Sequence, residues 1–296
     1  DHYGVPLLAP RGGTVRLAAA EGHIVLENLT TDVEAPYDEE ALDEHVPPDR
    51  RSIGIKRYKL LRLGAWRFFR NALTDQPVDP YGMPTAVIVS TMHMDPFQAR
   101  GDVQIRKRLR SFTRGLEHLQ SLLEYEPIYL LLPDIQSKLA TEVKEMIRGY
   151  AWAKLIDVPL RYPFDNMGLV ARQLGLKPTD DLPVWAVSSA GVLAMDRALT
   201  AEKPCNVELL SLGGPAVEEP RHLKAMPGYP LKDLLADRVI EGPNRLIDGG
   251  IMTGRQVGED QLGLDIECAG LMVLPEQTDR EILSFVRPGW SRHSYS

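Results

Sequence analysis

Apolar and polar positions change their spacing twice along the first two thirds of the chain. Up to Leu29, short apolar runs are cut by turn residues: Val5 to Pro10, Thr14 to Leu17 and Ile24 to Leu29, separated at Arg11-Gly12-Gly13 and Glu21-Gly22-His23. Runs of this length bounded by glycine predict strands joined as hairpins. From Ser52 the spacing becomes helical. Leu61, Ala65, Phe68 and Phe69 share one face and predict a helix from Tyr58 to Leu73; Ile105, Leu109, Phe112, Leu116, Leu119 and Leu123 predict another from Val103 to Tyr125. Between and after these lie continuous apolar runs fit for strands: Thr85 to Ser90, Ile128 to Leu132, Trp152 to Val158 and Val184 to Val187. Further helices are predicted at Ser137 to Arg148, Leu169 to Leu176 and Ser189 to Leu199. Strands buried on both faces and alternating with helices argue for a parallel sheet between helical layers.

The third pattern runs from Leu210 to Gly258. A strand, Glu208 to Leu212, halts at Gly213-Gly214-Pro215; Val217 and Leu223 fit a returning strand; Leu231, Leu234 and Leu235 form one face of a short helix; Asn244 to Gly250 closes the unit with a strand and a tight turn. A hairpin, a crossing helix and a further strand is the plan of a β-grasp module. Leu264 to Leu274 reads as a strand pair and Ile282 to Val286 as another strand. The fold expected is therefore a multidomain α/β protein. Residues 1–48 form a partial barrel-sandwich β-domain of the biotinyl-carrier type with an acidic linker, 49–204 a Rossmann-like α/β domain, 205–258 a β-grasp domain of the soluble-ligand-binding type, and 259–296 a β tail. No lysine stands at the first hairpin tip, which argues against swinging-arm attachment.

A length of 296 residues and 44% hydrophobic residues allow sizeable cores. The net charge of -7 disfavours a nucleic-acid partner, and the basic run from Arg106 to Arg110 reads as a solvated helix face. Two distant cysteines, Cys205 and Cys268, offer no disulfide framework and no cluster spacing, and fit a reducing compartment. No apolar run reaches the roughly 20 residues of a membrane helix. The chain starts without Met and without a signal pattern, and reads as part of a longer protein.

The glycine-rich phosphate loop of dinucleotide binding is absent after the first strand of the α/β domain. In its place runs Thr91-Met92-His93-Met94-Asp95-Pro96-Phe97, at the carboxyl end of a central strand, where open α/β sheets place their ligands. Met92, His93, Asp95 and Phe97 are candidate ligand residues; packing of a strand-to-helix turn explains the same apolar side chains. Gly249, Gly250, Thr253, Gly254 and Arg255 form a candidate anion nest, which turn geometry also explains. Ser188-Ser189-Ala190-Gly191 lacks a nucleophile elbow, and no two of the seven histidines have ligand spacing, so neither a catalytic set nor a metal site is expected.

Ser211 to Val217 with Pro220-Arg221, Asn244 to Gly250 with Thr253-Gly254, Gly64 to Arg70, Val89 to Pro96 and Ser284 to Gly289 together resemble the NqrA family, which is the A-type component of the sodium-translocating NADH:quinone oxidoreductase, Nqr. That family is related to the C-type component of the Rnf complex, RnfC, and to the NADH- and flavin-binding subunit of complex I, whose flavin loop and cysteine clusters have no counterpart in this sequence. The resemblance implies that about forty N-terminal residues and a C-terminal domain lie outside the chain. It implies a component that is not catalytic alone, peripheral on the cytoplasmic face of the inner membrane. Such a component is held there only through integral membrane and flavin-carrying partners, without a tight cofactor of its own. A quinone is its candidate ligand, placed at Met92, His93, Asp95 and Phe97, where His or Asp hydrogen-bonds a carbonyl. Two other readings stand beside it: an NADH/FMN-binding electron-input component, and a non-enzymatic soluble-ligand-binding β-grasp protein.

Overall fold

The computed structural model describes residues 5, 7–18, 23–30, 51–92, 95–99, 101–123, 126–133, 138–159, 161–177, 179 and 183–276. The expected strand at Ile282 to Val286, the acidic linker and the second hairpin turn fall largely or wholly outside them. Three sheets organise the described chain.

The first is an antiparallel pair, β1 (Thr14–Ala18) and β2 (His23–Glu27), in which Val15 faces Leu26 and Leu17 faces Ile24. Among the described residues it is the whole of the N-terminal β-structure. Asn206 ties it to the rest by donating from Nδ2 to Pro10 O at 2.9 Å.

The second sheet is the scaffold for the candidate ligand loop. Its order is β3 (Phe69–Asn71), β7 (Val184–Ser188), β4 (Ala86–Ser90), β5 (Ile128–Pro133), β6 (Ala153–Val158), all parallel except the edge strand β3. Alternation splits the central strands between two cores. Val87, Val89, Ile128, Leu130, Trp185 and Val187 face one side, where α1 (Arg51–Arg62), α3 (Leu109–Gln120), α4 (Lys138–Ile147) and α6 (Ser189–Thr200) pack; Ala86, Ile88, Leu131, Val184 and Ala186 face α5 (Met167–Gln173) on the other. The chain leaves β4 for β5 and β6 and then returns to β7 on the opposite side of β4. The strand order therefore reverses between β4 and β7.

Two helices differ from the expectation. The helix predicted from Tyr58 to Leu73 ends at Arg62: Gly64, at φ +76°, stops it, a 3-10 turn follows at Trp66–Phe68, and Phe69 enters β3. Trp66 and Phe69 stack at 4.5 Å, both edge-on to Trp185, so burial of three aromatic rings overrides the helical spacing. The helix predicted from Val103 to Tyr125 is two, α2 (Gly101–Ile105) and α3, separated at Arg106-Lys107-Arg108. Arg106 and Lys107 stand four and three residues before Arg110, and like charges at those spacings oppose a continuous helix.

The third sheet has the order β11 (Arg255–Gln256), β10 (Asn244–Asp248), β12 (Gly270–Pro275), β8 (Glu208–Gly213), β9 (Arg221–Ala225), with α7 (Leu231–Leu235) across it. β8 and β9 form the expected hairpin, while Val217 pairs instead with Val239. The sheet continues past Gly258. β12 is its central strand, parallel to β8 and antiparallel to β10, and a single strand stands where a pair was expected between Leu264 and Leu274. Leu210, Leu212, Leu231, Leu234, Leu271 and Val273 form its core.

Candidate functional site

The loop after β4 lies at the point where the strand order reverses, and it is held closely. Ser189 donates from Oγ to Ser90 O at 3.2 Å across the ends of β4 and β7, and Thr91 donates from Oγ1 to Leu131 O at 2.8 Å. Gly101, the first residue of α2, sits so near these groups that a Cβ on it would lie 2.5 Å from both Ser189 Oγ and Thr91 O. The chain's own backbone and hydroxyls thus approach closely at these strand ends.

The candidate residues of the loop have different fates. Met92 is buried, packing with Ile88 and Leu131 beneath the sheet. His93 lies outside the described residues. Asp95 reaches across to the third sheet: its Oδ1 accepts from Met252 N at 3.2 Å and its Oδ2 from Thr253 Oγ1. Phe97 is half exposed, at φ +64°, and lies over Gly213, where an added Cβ would come within 2.7 Å of Phe97 Cβ.

The second candidate set meets the first. The turn of Gly249, Gly250, Thr253 and Gly254 receives a carboxylate, and that carboxylate is Asp95. An added Cβ at Gly250 would stand 2.2 Å from Asp95 Cγ. Arg255 does not join Asp95. It pairs with Asp265 at 2.5 Å and lies 3.8 Å from Asp248.

These groups line an open cleft of about 460 Å³ between the second and third sheets. Asp95 and Gln98 come from the α/β side; Asp248, Gly250, Arg255 and Asp265 from the other. Burial pushes the Asp248 carboxyl up, the Cys268 thiol beside it works against that rise, and Asp265 adds to it. Glu267 on the rim pairs with Arg70, while Arg67 pairs with Glu208 and donates to Ile266 O at 2.5 Å and Cys205 O at 3.2 Å. Each cleft carboxylate therefore has a donor or cation within the chain, whereas the Gln98 side chain is buried with its Nε2 unpartnered. The sequence pattern did not single out Gln98, Asp248 or Asp265. Only the distance of Gln98 from Asp95, three residues along the same loop, could have signalled one of them.

Chemically the cleft offers hydrogen-bond donors and partly buried carboxylates rather than a nucleophile. Burial pushes the Cys205 thiol up to about 12 and raises Cys268 as well, so both thiols stay protonated. Among the described residues, no group of three His, Cys, Asp or Glu could hold a metal ion, and no helix is long and apolar enough to cross a membrane.

The architecture is that of a multidomain α/β protein with mixed sheets, and two family models match the second sheet and the part of the third that precedes β12. Residues 55–201 match the model described as the NqrA second alpha/beta domain, and residues 209–259 the model described as the NQRA C-terminal domain, of the SLBB type. Over 98% of its length the chain is 26% identical to the NqrA component of the Na(+)-translocating NADH-quinone reductase of Alcanivorax borkumensis. It is 27% identical to that of Teredinibacter turnerae over the same share. The chain belongs to the NqrA family of Na(+)-translocating NADH-quinone reductase components. It spans 63% of the length of these curated relatives. In fold it is similar to a chain of an NAD+-reducing [NiFe]-hydrogenase in the H2-reduced state, with a TM-score of 0.56 and 11% identity over 81% of this chain and 49% of that one.

Proposed function

We propose that this chain is the peripheral, cytoplasmic-face component of a membrane-bound, sodium-translocating NADH:quinone oxidoreductase, docking on integral membrane and flavin-carrying subunits. The observation that carries the reading is similarity to NqrA over 98% of the chain. In this reading 49–204 is a Rossmann-like domain that keeps the scaffold without a tight flavin, NAD or iron–sulfur centre, 205–258 is the β-grasp docking module, and 1–48 belongs to a biotinyl-carrier-like barrel. The lack of a glycine-rich phosphate loop after β4 is what supports reading this domain without a dinucleotide. Quinone access is assigned to the loop of Met92, His93, Asp95 and Phe97, whose Asp95, with Gln98, lines the cleft. The unpartnered Gln98 amide supports this, since a quinone carbonyl is an acceptor and such a donor lacks a partner.

Purification of the full-length protein from membranes tests the docking. Recovery with integral membrane redox subunits and without stoichiometric flavin or iron–sulfur absorbance is the expected result. Recovery alone, or saturable micromolar binding of NADH or FMN by calorimetry, would overturn it in favour of a free protein or an electron-input component. Photo-crosslinking with an azido-quinone is expected to label the loop after β4; labelling confined to other segments would remove the quinone assignment.

A further inference from the structure

The loop after β4 inserts two prongs into the third sheet, and each ends on a glycine with no room for a side chain. Asp95 enters the turn at Gly250, where Met252 N–H and Thr253 O–H donate to its two oxygens. Phe97 covers Gly213 at the end of β8. The backbone between the prongs is unusual: Phe97 adopts the left-handed region, which a bulky side chain occupies only where surrounding contacts over-determine it. The same loop begins at Ser90 and Thr91, whose positions are fixed by Ser189 and Leu131 at the reversal of strand order. One short segment is thus pinned at both ends, to the strand ends of the α/β sheet and to the glycine turn of the third sheet.

We propose that residues 95–98 are a clasp, so that the position of the loop at the strand ends and the orientation of the third sheet are a single equilibrium. Asp95 is the anion of the glycine turn, supplied from within the chain. Anything that shifts the loop at the strand ends withdraws Asp95 from Gly250 and loosens the third sheet on that side, leaving it held by the Arg67 and Arg70 contacts. Conversely, tilting that sheet away pulls on Phe97 and Asp95 and loosens the loop. Coupling of this kind is reciprocal.

The test uses the full-length protein with two dyes on introduced cysteines, Glu142→Cys on α4 and Lys232→Cys on α7; the native Cys205 and Cys268 are buried and stay unlabelled. Asp95→Ala is expected to broaden the interdye distance distribution and to speed amide exchange at Met252 by about tenfold or more, the scale set by losing a hydrogen bond to a charged acceptor. Gly250→Ala, which expels the carboxylate from the opposite side, is expected to broaden it equally, and the double variant no further than either alone. Asp95→Asn keeps an acceptor for Met252 N–H and is expected to stay close to the parent. Unchanged far-ultraviolet circular dichroism separates release from unfolding. A distance distribution that stays narrow in Asp95→Ala while Met252 exchanges fast would overturn the proposal, because the contact would then only close a local turn. Additive broadening in the double variant would overturn it too. Neither readout involves a quinone or a partner protein, so failure of the clasp and failure of the functional reading are distinguishable.

Discussion

Arg57 takes a cation into the interior of the α/β domain with 7% of its surface exposed. Its Nη1 donates to Pro80 O at 2.7 Å and Gly82 O at 2.8 Å, its Nη2 to Leu122 O at 3.2 Å, and its carbon centre lies 5.9 and 5.6 Å from the Trp66 and Trp185 rings. A planar fork flanked by two indoles holds the 78–83 loop and the end of α3 against α1. Arg57→Met strips three carbonyls of a charged donor and is expected to cost about 3 kcal/mol in urea denaturation. Arg57→Lys is expected to recover little of it, because an ammonium cannot span acceptors spread over the fork. An equal midpoint for Lys and Arg would show that charge alone matters. In the sequence Arg57 is one cation in a basic stretch from Lys56 to Arg70, and helical spacing cannot say which of these turns inward. Only the aromatic and carbonyl partners, brought in from residues 66, 80, 122 and 185, select it.

At the scale of elements, periodicity located most helices and strands and failed where contacts between elements outweigh spacing. The apolar face of α3 was legible as Phe112, Leu116 and Leu119, all buried. What that face meets was not. Gly115 lies against α6 so closely that a Cβ would stand 2.2 Å from Val192 O. Nothing in the spacing marks Gly115 as a contact, since a lone glycine within a helical pattern only lowers helix propensity. Gly115→Ala is expected to destabilise the protein by about 1–3 kcal/mol through overpacking, despite alanine's better helix propensity. Gly149, which has nothing within 4 Å of an added Cβ, supplies the control, and Gly149→Ala is expected to be neutral or slightly stabilising. Thermal melts of the pair decide between close packing and propensity; a stabilised Gly115→Ala would refute the close approach. The same competition ended the helix predicted through Leu73, where the stacked Trp66 and Phe69 rings, both edge-on to Trp185, pull Phe69 into a strand.

For the whole molecule, the two candidate sets were each visible in the sequence, but their meeting was not, because Asp95 and Thr253 are 158 residues apart and no local pattern relates them. The junction they help to build also contains buried charge, which makes its strength depend on pH. Burial pushes the Glu208 carboxyl up, and Arg67 works against that rise. Burial likewise raises Asp75 and Asp248 beside the same junction. A carboxyl raised in the folded state contributes stability that is fully present below its unfolded pKa and is lost as pH rises through the folded value. For Glu208 that window starts at the ordinary value of 4.5 and extends upward. Asp196 has the opposite sign: burial favours its neutral form, but hydrogen bonds from Arg114, Ser111 and Thr200 outweigh this and hold it below 3.8, so its contribution is lost only in stronger acid. The urea midpoint is therefore expected to rise as pH falls from 8 to 5 and to drop below pH 4. Arg67→Met tests the assignment. At pH 8 it leaves the Glu208 carboxylate buried without its cation and is expected to cost about 3 kcal/mol. Toward pH 5 the cost should shrink as Glu208 takes up a proton, while Arg67→Met with Glu208→Gln should show no such slope. A cost for Arg67→Met that stays constant from pH 8 to 5 would mean that Arg67 holds the junction through Ile266 O and Cys205 O alone, with Glu208 a bystander.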